Sequence, residues 1–233
     1  MLDGDHARLV DVVLPVCAEY GLAIAGGYAI KAHRLVDRPS EDIDFATAAV
    51  APLEEIMAAL AGAYREAGCQ VQVLDVEPRK GHLLVSFPGS GTYRVDVLKE
   101  PLNHPLTMME FGPVIALADA VALKMGALHD RALPRDLLDA YGASAHFTGA
   151  ELIALGRTAL DDEFNLETLR GQLDFAAMYP DEAFARYGCD PAVVTEARAW
   201  AQDWSTQIGL DLAEAEPWSE DGDPATDDGT DDA

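Results

Sequence analysis

The sequence predicts an α+β chain: a mixed sheet-and-helix half followed by an all-helical half. Three observations carry that expectation. Short apolar runs with period-two alternation crowd the first 110 residues or so, from about Val114 the apolar spacing is helical throughout, and no internal repeat interrupts either pattern. The expected organisation is a first domain over residues 1–112, a helical domain over 113–210, and an acidic, disordered tail over 211–233. Two lobes of this kind leave a cleft between them, a usual place for a ligand.

The elements follow in order. Residues 5–20 set Leu9, Val12, Val13 and Val16 at helical spacing, with Pro15 as a candidate kink or early stop. Leu22–Ala25 is a short apolar strand ending at Gly26-Gly27, with a helix after it through Ala29 to Leu35. Ile43 and Phe45 alternate with polar residues as a second strand. Pro52 opens an amphipathic helix that reaches about Ala67. Val71–Val76, His82–Phe87 and Thr92–Leu98 are three β-type runs, separated by Pro78–Gly81 and Pro88-Gly89-Ser90-Gly91. Helices are then expected over Ile115–Asp130, from Pro134 to Gly142, and from starts at Thr148, Thr168 and Asp190-Pro191.

Composition excludes several classes. Of 233 residues 49% are apolar and 24% charged, an ordinary globular balance. No run approaches the 18 apolar residues of a membrane span, and the acidic start MLDGDHARL is unlike a secretion signal. Cys17, Cys69 and Cys189 are too scattered for a disulfide framework or a cysteine-built zinc site. These features point to a protein of the reducing cytoplasm with no membrane partner. The net charge of −25 is unevenly spread: residues 211–233 hold 10 acids and no base, whereas residues 31–135 hold 14 acids and 11 of the 16 bases. The tail from Glu216 has too little apolar surface to offset its ordering entropy. It is read as a solubilising segment in preference to a nucleic-acid mimic or self-inhibitory arm.

The chemistry concentrates in AGGYAIKAHRLVDRPSEDIDFAT, residues 25–47. Asp42 and Asp44 sit at i and i+2 of a strand, so both carboxylates project from one face. Two such carboxylates repel unless a cation lies between them, and a hard divalent ion with nucleotide phosphates suits them. Gly26 and Gly27 let backbone N–H groups approach an anion. Asp96, between Val95 and Val97 on a predicted central strand, fits as a third acid. The structural alternatives are an ordinary edge strand for Asp42 and Asp44, and an ion pair of Asp96 with Arg94 or Lys99, which facing direction or distance disfavours. For Lys124 the alternative is a snorkelling lysine, for Arg135 and Asp139 an i,i+4 ion pair. His33 and His129 are candidate bases or structural histidines, and Trp200 and Trp204 are expected to pack the last helix.

GGYAIKAHRLVDRPSEDID resembles the Gly-Gly … Arg-x-Ser/Thr-x-Asp-Ile-Asp signature of polymerase-β-like nucleotidyltransferases, and within them the AbiEii/AbiGii and MenT group of toxins. A second stretch, Ala122 to Arg131 followed by Arg135-Asp136-Leu-Leu-Asp139, resembles that family's lysine helix and Arg-Asp-x-x-Asp helix. The resemblance implies a nucleotidyltransferase catalytic domain in 1–112 and a helical domain carrying the Lys and Arg-Asp-x-x-Asp motifs. It further implies Mg²⁺ (or Mn²⁺) on Asp42, Asp44 and Asp96, with an NTP as substrate. Gly26 and Gly27 would cradle phosphates beside Arg38 and Ser40, Lys124 would hold the triphosphate, and Asp136 would order the site or assist the acceptor. The implied activity is transfer of NMP to the 3′ end of tRNA by a toxin with a cognate antitoxin. A small cationic acceptor of the aminoglycoside kind, or a catalytically silent nucleotide-binding module, are the competing functions.

Overall fold

The computed structural model describes residues 4–215. Element order is α1 (Gly4–Tyr20), β1 (Ala23–Ile24), α2 (Gly26–Ala32), β2 (Ile43–Thr47), α3 (Leu53–Glu66), β3 (Gln70–Val76), β4 (Lys80–Ser86), β5 (Thr92–Lys99), β6 (Thr107–Met109) and β7 (Gly112–Val114). The helical part then runs α4 (Leu117–Asp130), α5 (Pro134–Ala143), α6 (Gly149–Leu160), a short 3₁₀ turn (Asp161–Glu163), α7 (Leu166–Ala177), α8 (Asp181–Ala185) and α9 (Pro191–Ala215). No described helix is long and apolar enough to cross a membrane.

The strands form one mixed sheet in the order β3-β4-β5-β2-β1-β7-β6. β2 is parallel to β5 and β1 to β7, while β3-β4, β4-β5, β1-β2 and β6-β7 are antiparallel. Alternation divides the two faces of this sheet. Ile43, Phe45, Leu83, Val85, Val95 and Val97 are all fully buried on one side, against which α1 and α3 pack. The α3 residues Leu53, Ile56, Met57, Leu60 and Tyr64 recur at helical spacing on its buried face. Asp42, Asp44, His82, Arg94 and Asp96 alternate with those apolar residues and so belong to the opposite face, which meets the helical part.

The architecture matches the expected fold class, and differences are local. Pro15 lies inside α1 without ending it. The sheet gains β6 and β7, which are only three residues each and therefore too short for periodicity to register. α7 starts at Leu166, not at Thr168: the Asn165 side chain caps it by accepting from the Thr168 N–H at 3.0 Å. Thr148 does cap α6, in a reciprocal capping box with Glu151. α9 continues through residues 211–215 of the segment assigned to the tail, because Leu212 still packs on the core. The rest of that tail lies outside the described residues.

Candidate active site

Cross-strand register builds the centre of the site. Asp44 on β2 is directly opposite Asp96 on β5, and Asp96 is directly opposite His82 on β4. Three strand positions therefore put Asp44, Asp96 and His82 in one row on the cleft-facing side, and Asp42, the residue before β2, lines the same cleft. Gly26, with φ of +56°, forms the turn from β1 into α2. A Cβ there would lie 1.8 Å from the Asp44 carboxylate, and a Cβ on Gly27 would lie 2.6 Å from the Ser40 hydroxyl. Both glycines thus make room for side chains that line the cleft. The Ala25 N–H also donates to the Asp44 carbonyl at 2.8 Å, pinning the turn to β2.

The two carboxylates of the Asp-Ile-Asp stretch have no hydrogen-bond or ion-pair partner among the described residues. Burial raises the Asp42 carboxyl above the usual range, and repulsion from Asp96 adds to it, against the pull of Arg94 and Arg135. Asp44 is raised too, by burial first; the Lys124 charge opposes this, and Asp96 and Asp42 reinforce it.

Asp96 is in a different state. Its carboxylate accepts two hydrogen bonds from Arg94 Nε, at 2.7 and 3.0 Å, and lies 2.7 Å from His82 Nδ1. The Arg94 pairing corrects the expectation that facing direction forbids it, since residues two apart on a strand share a face. His82 carries no motif; only the β4–β5 register brings it to Asp96. Lys99 instead donates to the Ala51 carbonyl at 2.7 Å.

The opposite wall is helical, and a buried ion network fixes it. Arg38 is 4% exposed and Asp139 fully buried. Arg38 Nε and a terminal nitrogen bond the two Asp139 oxygens at 2.7 Å each, and Lys124 Nζ from α4 reaches the same carboxylate at 2.8 Å. Burial alone would push Asp139 up, but the Lys124 charge and the Arg38 guanidinium outweigh it and hold the carboxyl below the ordinary range. Asp139 is thus committed to Arg38 and Lys124 in place of the expected i,i+4 pair with Arg135. Asp136, also fully buried, holds Arg131 through bonds of 2.9 and 3.1 Å and accepts from the Leu133 N–H at 3.3 Å. It does not line the cleft, so its place is that of a group ordering Arg131 and, at 4.0 Å, Lys124.

The cleft between the sheet and these helices has a volume of about 800 Å³. Gly26, Gly27, Arg38, Ser40, Asp42, Asp44, Asp96 and Lys124 all line it. Its wall gathers seven of the chain's sixteen bases: Arg38, Lys80, Arg94, Lys124, Arg131, Arg135 and Arg186. His33 and His129 are elsewhere. His33 Nε2 is 2.8 Å from the Ile115 carbonyl, and His129 stacks on Phe164 at 5.1 Å. Trp200 and Trp204 pair at 5.0 Å, with Trp200 also against Tyr141.

Asp42 and Asp44 fit a hard divalent cation: they offer only oxygen donors, lack internal partners, and repel one another. Among the described residues, however, no group of three or more His, Cys, Asp or Glu side chains is already gathered to hold a metal ion. Asp96 is the reason on the sheet side, since its oxygens are turned to Arg94 and His82.

Comparisons with known proteins bear on the family and the fold. The model of the nucleotidyl transferase AbiEii toxin family, from type IV toxin–antitoxin systems, matches residues 18–204. No curated protein matches significantly. Among solved structures, the MenT4 nucleotidyltransferase toxin of Mycobacterium tuberculosis is similar at 21% identity and a TM-score of 0.55, over 89% of this chain and 92% of that one. JHP933 from Helicobacter pylori is similar at 15% identity and a TM-score of 0.53, over 90% and 94%. These likenesses show the shared fold. With its family model spanning most of the sequence, the chain belongs to the AbiEii toxin family and is a nucleotidyltransferase.

Proposed function

We propose that the protein transfers NMP from an NTP to the 3′ end of tRNA, with a divalent metal at Asp42 and Asp44: the acceptor hydroxyl loses its proton and bonds the α-phosphorus, the α–β phosphoanhydride bond breaks, and pyrophosphate leaves. The observation that carries the catalytic part is the pair of unpartnered carboxylates, both raised above the ordinary range, facing Lys124 and Arg135 across the cleft. A bound Mg²⁺ or Mn²⁺ would supply the positive charge that offsets the triphosphate and polarises the reacting phosphate. The chain's own groups do the rest. Lys124, pre-oriented by Asp139, offers ammonium protons to phosphate oxygens without losing rotamer entropy on binding. Gly26 and Gly27 keep Asp44 and Ser40 at fixed depth. Asp96 would serve as a third oxygen ligand, or would accept the acceptor's hydroxyl proton, if Arg94 and His82 released it.

The acceptor reading draws on the same cleft. Seven of the sixteen bases line a cleft that holds six of the 41 acids, so bases are enriched there relative to the rest of a chain whose net charge is −25, which supports a polyanionic acceptor. Membership of a toxin–antitoxin family supports a protein antitoxin as partner.

The test is incubation with Mg²⁺, each α-³²P-labelled NTP in turn, and total tRNA, with Asp44→Ala and a chelator as controls. Label on tRNA that both controls abolish is the expected result, and it names the nucleotide. Metal-dependent NTP binding without label on tRNA removes the tRNA acceptor and directs attention to small molecules or proteins. Neither binding nor transfer would refute the catalytic reading altogether.

A further inference from the structure

The cations of the cleft are not equivalent. Arg38 and Lys124 are bound to Asp139, Arg131 to Asp136, and Arg94 to Asp96. Arg135 has no hydrogen bond or ion pair among the described residues, and its Nε is buried without any partner. Its backbone position compounds the cost. Arg135 is the second residue of α5, where the positive end of the helix dipole disfavours a cation. The acid that helical spacing offers it, Asp139 at i+4, is already occupied by two other cations. A guanidinium that is partly desolvated, placed at the wrong end of a helix and denied its nearest carboxylate has no hydrogen bond or ion pair among the described residues that accounts for it.

The cavity it lines does account for it. Arg135 lies close enough to Asp42 and Asp44 for its charge to lower both carboxyls against the effect of burial. An anion at Arg135 therefore sits next to the two carboxylates proposed for the metal. From this geometry we infer that Arg135 is a binding residue for the β,γ-phosphates of the incoming NTP, a cleft arginine that shares its cavity with Asp42 and Asp44 and has its donors unspent. This inference rests on the nucleotidyl-transfer reading. It assigns Lys124 and Arg135 different tasks: Lys124 shares the Asp139 carboxylate with Arg38, whereas Arg135 brings a guanidinium with no ion-pair partner among the described residues, and a planar fork that can meet two phosphate oxygens at once.

The experiment is calorimetric titration of the full chain with Mg²⁺-tripolyphosphate and Mg²⁺-NTP, using wild type, Arg135→Ala and Arg135→Lys, plus the melting temperature of each protein without ligand. Arg135→Ala is expected to lose about tenfold or more in affinity for both ligands, the effect of one charge-assisted contact. Arg135→Lys should recover part of that loss. The unliganded melting temperature of Arg135→Ala should fall by no more than a few degrees, since Arg135 has no hydrogen bond or ion pair among the described residues and loses only its longer-range attraction to Asp42 and Asp44. Unchanged tripolyphosphate affinity in Arg135→Ala overturns the assignment, as does an unliganded melting temperature lowered by about 10 °C or more, the loss of a structural ion pair. Retained triphosphate binding with lost tRNA binding also overturns it, and hands Arg135 to the acceptor. If wild type itself binds neither ligand, the nucleotidyl-transfer reading falls as well, so the two failures are distinct.

Discussion

Replacing Asp139 by Ala would leave two cations facing one another behind the cleft wall. Arg38 is 4% exposed and would lose two 2.7 Å bonds; Lys124 would lose its 2.8 Å contact. Breaking a buried pair from one side costs about 3–5 kcal/mol, and with two cations orphaned the upper part of that range applies. For a chain of this length, at roughly 3 °C per kcal/mol, Asp139→Ala should melt about 12–15 °C below wild type. Asp139→Asn, which keeps the shape and some hydrogen bonding, should fall in between. The pH dependence has a definite sign. Asp139 releases its proton more readily folded than unfolded, so its contribution is complete above the unfolded carboxyl's pKa of about 3.9 and is lost as pH falls through the lower folded value. The assay is urea unfolding followed by circular dichroism between pH 3 and 7. A loss below about 1 kcal/mol in Asp139→Ala would refute the reasoning, because an unpaired cation this deep cannot be so cheap. So would a triple variant, Asp139→Leu with Arg38→Met and Lys124→Met, that regains nothing over Asp139→Ala, since removing all the charges removes the penalty.

Gly26→Ala would drive a Cβ into the Asp44 carboxylate at a backbone angle that alanine disfavours, and kcat/KM for nucleotide transfer should fall about 100-fold, the cost of an ångström-scale misplacement. The raised Asp44 carboxyl carries the opposite sign from Asp139: its ionisation costs stability as pH rises from the unfolded value through the folded one. Asp44→Asn, measured in chelator at pH 7, should therefore melt above wild type, while losing the stabilisation that added Mg²⁺ gives wild type. Arg94→Ala frees the Asp96 oxygens, so Mn²⁺ binding followed by electron paramagnetic resonance should tighten severalfold; weaker binding would make Arg94 a support of the metal site instead of its competitor.

The sheet and the long helices were legible because their apolar residues repeat at periods of two and 3.6 over five residues or more. β6, β7 and α8 have three to five residues each, and no period can be read from so few. Within the site, Asp42 and Asp44 shared a face by local arithmetic, and Asp96 alternated with buried valines. What could not be read was pairing across the chain. His82 meets Asp96 through strand register, and Arg38 finds Asp139 across 101 positions. Arg94 is readable by the same i,i+2 rule that places Asp42 and Asp44 on one face, so the facing direction that the sequence reading sets against its pair with Asp96 does not hold. Arg135 looked like half of a helical ion pair because sequence spacing ranks the nearest acid first. Two more distant cations had claimed that acid.

That long-range bond has a meaning for protein synthesis. The glycines, both Asp-Ile-Asp carboxylates and Asp96 are all translated before α5 exists, yet Arg38 and Lys124 wait for Asp139. A ribosome that stalls before that helix, or a message cut upstream of it, leaves a nascent chain whose carboxylates are complete and whose cleft wall is unset. Assembly of the site is thereby coupled to translation of α5, with Asp139 at position 139 of 233, after every strand of the sheet has been made.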